Sequence, residues 1–213
     1  MAHRRKPLAA ALALNTAVLV AEIAGGVTAN SLSLVTDGVH NVSDEAGLAL
    51  LLVAYWMRAG LSGRFIRLAN LFNSIGLIAV CGFLVWQTLE RLSRPVPVLG
   101  VVPVIAGLLG AIGNWGVARV LRRHAPDDAA IRLAYVHNLG DTLLSLAPVA
   151  AGALVITTGR AIFDPVIALA IAAFILVTTI GSLAGSHKEL MWPENVVCGH
   201  DEPTGDARRV EAA

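Results

Sequence analysis

Charge is scarce in this chain. Only 15% of its 213 residues are charged, whereas 56% are hydrophobic. A soluble globular domain carries about a quarter charged residues, so the composition excludes that class and indicates an integral membrane protein. Cysteine is nearly absent: Cys81 lies in an apolar run and Cys198 in a polar tail. Two such cysteines define neither a disulfide framework nor a thiolate metal site. The formal net charge of +1 gives no argument for a nucleic-acid partner, and none is expected. Catalytic signatures are missing too. There is no His-Glu-x-x-His, no Gly-x-Ser-x-Gly and no phosphate loop, which removes the marks of a zinc protease, a serine hydrolase and an ATP-driven pump. The chain is not expected to be an enzyme or to carry a cofactor. A basic N-terminus precedes the first apolar run, but no convincing small-residue cleavage site follows and more apolar spans come after, so that run reads as a retained span.

What is present is a series of apolar runs. A membrane helix needs about 20 mostly apolar residues, and six runs qualify, at 8–27, 32–56, 66–90, 98–120, 131–157 and 163–184. The breaks between them fall at Gly25-Gly26, Gly60 to Arg64, Arg94 to Pro97, Arg122 to Asp128 and Thr158 to Arg160. The expected fold is all-α, a polytopic membrane protein with six transmembrane helices. Residues 1–190 are expected to form one six-helix transmembrane domain, and residues 191–213 a short, disordered cytoplasmic tail.

Orientation follows from lysine and arginine. With the N-terminus in the cytoplasm, all of the 16 basic residues except Arg91, Arg94 and Arg160 fall on the inner side. Both termini are therefore expected to be cytoplasmic. The second span then runs outside to inside and the fifth runs inside to outside. Two similar motifs lie on these antiparallel spans, Asp37-Gly-Val-His40-Asn41-Val-Ser-Asp44 and His137-Asn138-Leu-Gly-Asp141. Similar elements three spans apart in opposite orientation suggest inverted repeats with a site between them. In the fourth span Gly107, Gly110, Gly113 and Gly116 form a stripe of small residues. It suits close helix packing, with a hinge as the alternative.

Four residues turn a helix by about 400°, so His40 and Asp44 share a face, as do His137 and Asp141. Two such faces opposed offer two imidazoles and two carboxylates. Four N/O ligands suit tetrahedral Zn²⁺, and two aspartates balance a divalent cation. An uncompensated aspartate at mid-bilayer costs about 2.5–3.5 kcal/mol even on lenient scales. The competing reading is interhelical hydrogen bonding or a proton relay. Asp37 is open between an entrance ligand, a partner that orients an imidazole and a water-exposed residue at the outer mouth. Asn41, Asn138 and Ser145 are further candidates for orienting ligands or lining the entrance, against ordinary bonding between helices. Glu22 is open between an interfacial, a paired and a functional role, and Asn114 reads as a packing hydrogen bond. Glu45 turns to another face and is not counted. His3, His124, His187 and His200 read as solvated residues, with His124, Asp127 and Asp128 the best surface cluster.

The run from Glu22 through Gly25-Gly26, Ser31-Leu-Ser-Leu34 and Asp37-x-x-His40-x-x-x-Asp44 resembles the first-to-second-span signature of the cation diffusion facilitators. His137-x-x-x-Asp141-x-x-x-Ser145 and Asp164-Pro165 match as well, and the resemblance covers roughly residues 8–190. It implies that His40, Asp44, His137 and Asp141 are the transport-site ligands, in a set resembling that of Zn²⁺-preferring members. It further implies exchange of metal for protons, alternating access with the first, second, fourth and fifth spans rocking against the third and sixth, and a homodimer. Most members carry a cytoplasmic metallochaperone-like domain after the sixth span. About 25 residues follow it here, so a short member without that domain is expected.

The functional expectation is efflux of a divalent transition-metal cation, Zn²⁺ first and Cd²⁺, Co²⁺ or Ni²⁺ next, by proton antiport across a bacterial inner membrane. Two readings compete with it. One is a metal-binding or sensor subunit that does not transport. The other is a membrane metalloenzyme, disfavoured because four protein ligands leave no open position for water.

Overall fold

The computed structural model describes residues 2–57, 63–126 and 129–185. Every regular element among them is an α-helix: α1 (Ala2–Ala29), α2 (Leu32–Met57), α3 (Gly63–Ser93), α4 (Val101–Leu121), α5 (Ala129–Leu144), α6 (Leu146–Thr158) and α7 (Phe163–Gly185). Large apolar side chains face outward, among them Val27, Phe72, Trp86, Ile112, Leu143 and Val177. Only a hydrocarbon solvent makes such a surface favourable, and within it each helix satisfies its own backbone. Five helical stretches are long and apolar enough to cross a membrane: most of α1, most of α3, α4, α5 with α6, and most of α7. The α2 helix is not among these five, because Asp37, His40, Asn41, Asp44 and Glu45 interrupt its apolar run, but it packs against α1, α3 and α7 as the remaining traverse. The chain is an all-α, multi-pass membrane protein.

Two expected features are corrected. The first span does not break at Gly25-Gly26 but continues to Ala29. The turn is made by Asn30, whose φ of 56° is left-handed, a region asparagine tolerates. The Ser31 N–H donates to the Gly26 carbonyl at 2.9 Å and the Asn30 N–H to Val27 at 3.3 Å, the 6→1 and 5→2 bonds of a Schellman cap. Gly26 serves proximity instead: a Cβ there would lie 2.6 Å from Val35 Cγ2 and 2.9 Å from the Val35 nitrogen. The fifth span is not one helix either. It breaks at Ser145 into α5 and α6, because Pro148 has no N–H for the Leu144 carbonyl and its ring crowds that group. The break expected over 60–64 lies partly outside the described residues, and α3 has already begun at Gly63.

Packing divides the helices into two groups that meet at α2 and between α6 and α7. The α1 helix packs on α2 and α4, and α4 packs on α5 and α6. The α3 helix packs on α7, and both touch α2. The glycine stripe of α4 explains the first group. A Cβ at Gly113 would meet Val18, one at Gly116 would meet Leu14, and one at Gly107 would meet Val149 on α6. The stripe therefore acts in close packing. Near the C-terminal end of α2, Leu48 and Leu51 pack with Leu8, Ala11, Val117, Leu121 and Ile131. Towards its N-terminal end, Leu32 packs with Leu84 and Ala168, and Val39 joins the cluster of Leu77, buried Cys81, Ile171 and Ile175.

Asp164, in the first turn of α7, ties the two groups together at one end. Its carboxylate accepts hydrogen bonds at 2.6 Å each from the Leu32 N–H and the hydroxyls of Ser31 and Ser33. A carboxylate suits this place because the start of α2 presents unbonded N–H groups and the positive end of a helix dipole. Asp164→Ala should lower the thermal unfolding midpoint of the detergent-solubilised protein, with a loss of about 3 kcal/mol. Asp164→Asn, which keeps an acceptor, should lose less. An unchanged midpoint in both would contradict this role.

Candidate metal centre

The site begins with two helical faces. On α2, His40 and Asp44 are one turn apart, and on α5, His137 and Asp141 are one turn apart. Antiparallel packing sets each histidine against the aspartate of the other helix. His137 Nε2 lies 2.6 Å from Asp44 Oδ1, and His40 Nε2 lies 3.1 Å from Asp141 Oδ1. Along each helix the separations are longer, 3.8 Å for His40–Asp44 and 3.7 Å for His137–Asp141. The two imidazoles meet edge to face with centroids 5.7 Å apart. One ligand atom from each of the four residues falls within 4.8 Å of all the others. Bonds of about 2.0–2.2 Å in a tetrahedron give edges of about 3.4 Å, and the four His–Asp separations bracket that value.

The cluster is short of partners. Asp44 Oδ2, Asp141 Oδ2 and His40 Nδ1 are buried without a hydrogen bond. Buried polar atoms are normally satisfied, and two carboxylate oxygens without a hydrogen bond beside two imidazoles suit a cation as their partner. Covering is unequal: the His137 side chain is 46% exposed and that of His40 11%. The rung formed by His137 and Asp44 is therefore the open one, and it lies towards the C-terminal end of α2.

The remaining candidates separate into those near the quartet and those turned elsewhere. Asp37 is buried but is not one of the four clustered residues. Its carboxyl lies in hydrogen-bonding reach of Glu22 and Ser145. Burial removes the water-exposed role at an outer mouth. Asn41 turns to α1, donating to Glu22 Oε2 at 2.5 Å. Asn138 donates to the Ala134 carbonyl of its own helix at 2.8 Å. Ser145 accepts from Asn114 at 3.1 Å. Glu45 faces α1, accepting from Asn15 at 2.9 Å and from Thr16. Asp127, Asp128, His187 and His200 lie outside the described residues.

Sequence reasoning left three polar residues without a place. Glu22 is completely buried against α2 and α4, and Asn15, one heptad earlier on α1, is buried as well. Asn73 of α3 donates to the Ser43 hydroxyl at 2.7 Å. The seven-residue spacing of Asn15 and Glu22, which sets both on the α2-facing side of α1, was the available signal.

The description "cation efflux transmembrane domain" belongs to the family model that matches residues 8–191. The chain belongs to this cation efflux family. It is 31% identical over 196 residues to "Zinc transporter ZitB" of Pectobacterium atrosepticum, covering 87% of this chain and 61% of the relative. It is 28% identical over 191 residues to "Zinc transporter ZitB" of Escherichia coli, covering 85% and 61%. To the "Cadmium, cobalt and zinc/H(+)-K(+) antiporter" of Bacillus subtilis it is 27% identical over 204 residues, covering 90% and 66%. The chain thus spans about three fifths to two thirds of the length of these relatives. The matched residues include all four members of the quartet.

With both imidazoles deprotonated, the two carboxylates of this family member lack a counter-charge. Asp141→Asn should then raise the stability of chelator-treated protein by about 1–2 kcal/mol in alkaline buffer, read as a higher unfolding midpoint. A quartet that serves only as interhelical hydrogen bonding would instead lose stability on the same substitution.

Proposed function

We propose that this chain moves divalent transition-metal cations, Zn²⁺ foremost, out of the cytoplasm across a bacterial inner membrane in exchange for protons. One observation carries the reading: two histidines and two aspartates converge from antiparallel α2 and α5 with ligand atoms within 4.8 Å. Mixed N/O donors in this number match Zn²⁺ and its chemical neighbours better than Mg²⁺ or Ca²⁺, which prefer all-oxygen shells. Family membership and the names of the relatives support the same reading.

The exchange follows from charge. The cation needs neutral imidazoles and ionised carboxylates, so binding releases protons and protons compete with the metal. Either two protons or one divalent cation neutralises the two aspartates, which keeps the quartet uncharged in both loaded states. Protonation of the two imidazoles sets the pH at which protons displace the metal. With the basic segments in the cytoplasm, the open rung at His137 faces inward, towards the compartment from which metal is taken. Packing of Val39 with Cys81, Ile171 and Ile175 closes the opposite approach. Outward release requires α3 and α7 to shift against the group that holds the quartet.

Inverted membrane vesicles containing the protein should accumulate Zn²⁺ when a proton gradient is imposed. Asp44→Ala and Asp141→Ala should each reduce uptake to the level of vesicles lacking the protein. Undiminished uptake by both variants would refute the site, and bound metal without flux in the parent protein would indicate a metal-holding subunit.

A further inference from the structure

Beside the quartet lies a second buried acidic group that the metal chemistry leaves unused. Glu22 of α1 and Asp37 of α2 are both buried, at 0% and 1% exposure, and their carboxyls lie in hydrogen-bonding reach of one another. Glu22 Oε2 accepts from Asn41 at 2.5 Å. Glu22 Oε1 receives no hydrogen bond and sits over Gly110 of α4, where a Cβ would come within 2.0 Å of it. Asp37 is in reach of the Ser145 hydroxyl, which already accepts from Asn114. The unmatched atoms here are Glu22 Oε1, Asp37 Oδ2, Asn41 Oδ1 and Asn114 Oδ1, and all four are oxygens.

A buried cluster whose unmatched atoms are all acceptors is short of hydrogen. Two touching carboxylates in a dry interior carry a repulsion that nothing nearby relieves. Among the described residues no Lys or Arg forms an ion pair with either one. The titratable groups that face the pair are His40 and Asp44 on α2 and Asp141 on α5. From α4 and the α5–α6 break come only uncharged Gly110, Asn114 and Ser145. One proton between the carboxyls supplies the missing donor and removes one of the two charges.

We propose that Glu22 and Asp37 form a proton-binding pair, distinct from the metal quartet, that holds one proton between α1 and α2 and yields it to solvent when a divalent cation occupies the neighbouring site. The added positive charge on α2 favours the ionised pair, and Asn41, bonded to Glu22 and adjacent in sequence to His40, links the two. The coupling to metal rests on the transport reading above. The proton site itself does not.

The test is infrared difference spectroscopy on the purified full chain in lipid nanodiscs, with proton release measured in weak buffer. The metal-free protein should show the C=O stretch of a protonated carboxyl, shifted in D₂O. Glu22→Gln and Asp37→Asn should each abolish it, so failure of one variant to fold leaves the other to decide. Addition of Zn²⁺ should bleach the band in the parent protein, and Glu22→Gln should release about one proton fewer per Zn²⁺ bound. A missing band, or one that survives in both variants, overturns the pair. Bleaching by K⁺ or Na⁺ in the absence of Zn²⁺ overturns it in favour of an alkali-cation site. A Glu22-dependent band in a protein that binds no Zn²⁺ upholds the proton site and sinks the transport reading instead.

Discussion

Asp44 and Asp141 are held side by side in a layer that water does not fill, and the architecture around them answers that constraint. Each charge is expensive in hydrocarbon, and each aspartate has one histidine within hydrogen-bond distance, across the helix pair. The four side chains can be neutral as a group only with protons or with a divalent cation. Under the proposed function this requirement would couple metal to protons, because removing one kind of cation without supplying the other leaves a buried double charge.

Holding two helical faces at that spacing demands close backbone approach. The glycines at the end of α1 admit α2, and those of α4 admit α1 and α6. Small residues matter here because lipid offers no hydrophobic drive for helix association, so van der Waals contact must supply it. At the opposite extreme from these loose apolar contacts, Asp164 makes a directional, charge-assisted connection between α7 and the start of α2. The quartet thus stands on helices of one group, while α3 and α7 are joined to it by the Asp164 contacts, by the Asn73–Ser43 hydrogen bond and along apolar clusters. Each of the first three traverses also packs on the one three spans later: α1 on α4, α2 on α5, α3 on α7.

Much of this was legible in the chain itself. The apolar runs identify the membrane class because hydrocarbon thickness fixes helix length. His40 with Asp44 and His137 with Asp141 stand out because the helical repeat converts a spacing of four into one face. Other features depend on tertiary context. Gly25-Gly26 has the composition of a turn, yet Val35 needs the space above Gly26 and Asn30 can turn instead. Pro148 lies inside an uninterrupted apolar run, so hydropathy hid the break at Ser145. Glu22 and Asp37 are 15 positions apart in sequence, and only the packing of α1 on α2 brings their carboxyls together.

The central claim is that these two histidines and two aspartates form one coordination shell. Zinc K-edge X-ray absorption of the purified chain loaded with one equivalent of Zn²⁺ tests it most directly. The account predicts about four N/O neighbours at about 2.0 Å, with the outer-shell scattering of two imidazoles and no sulfur. A sulfur shell, or six oxygens without imidazole scattering, would contradict it.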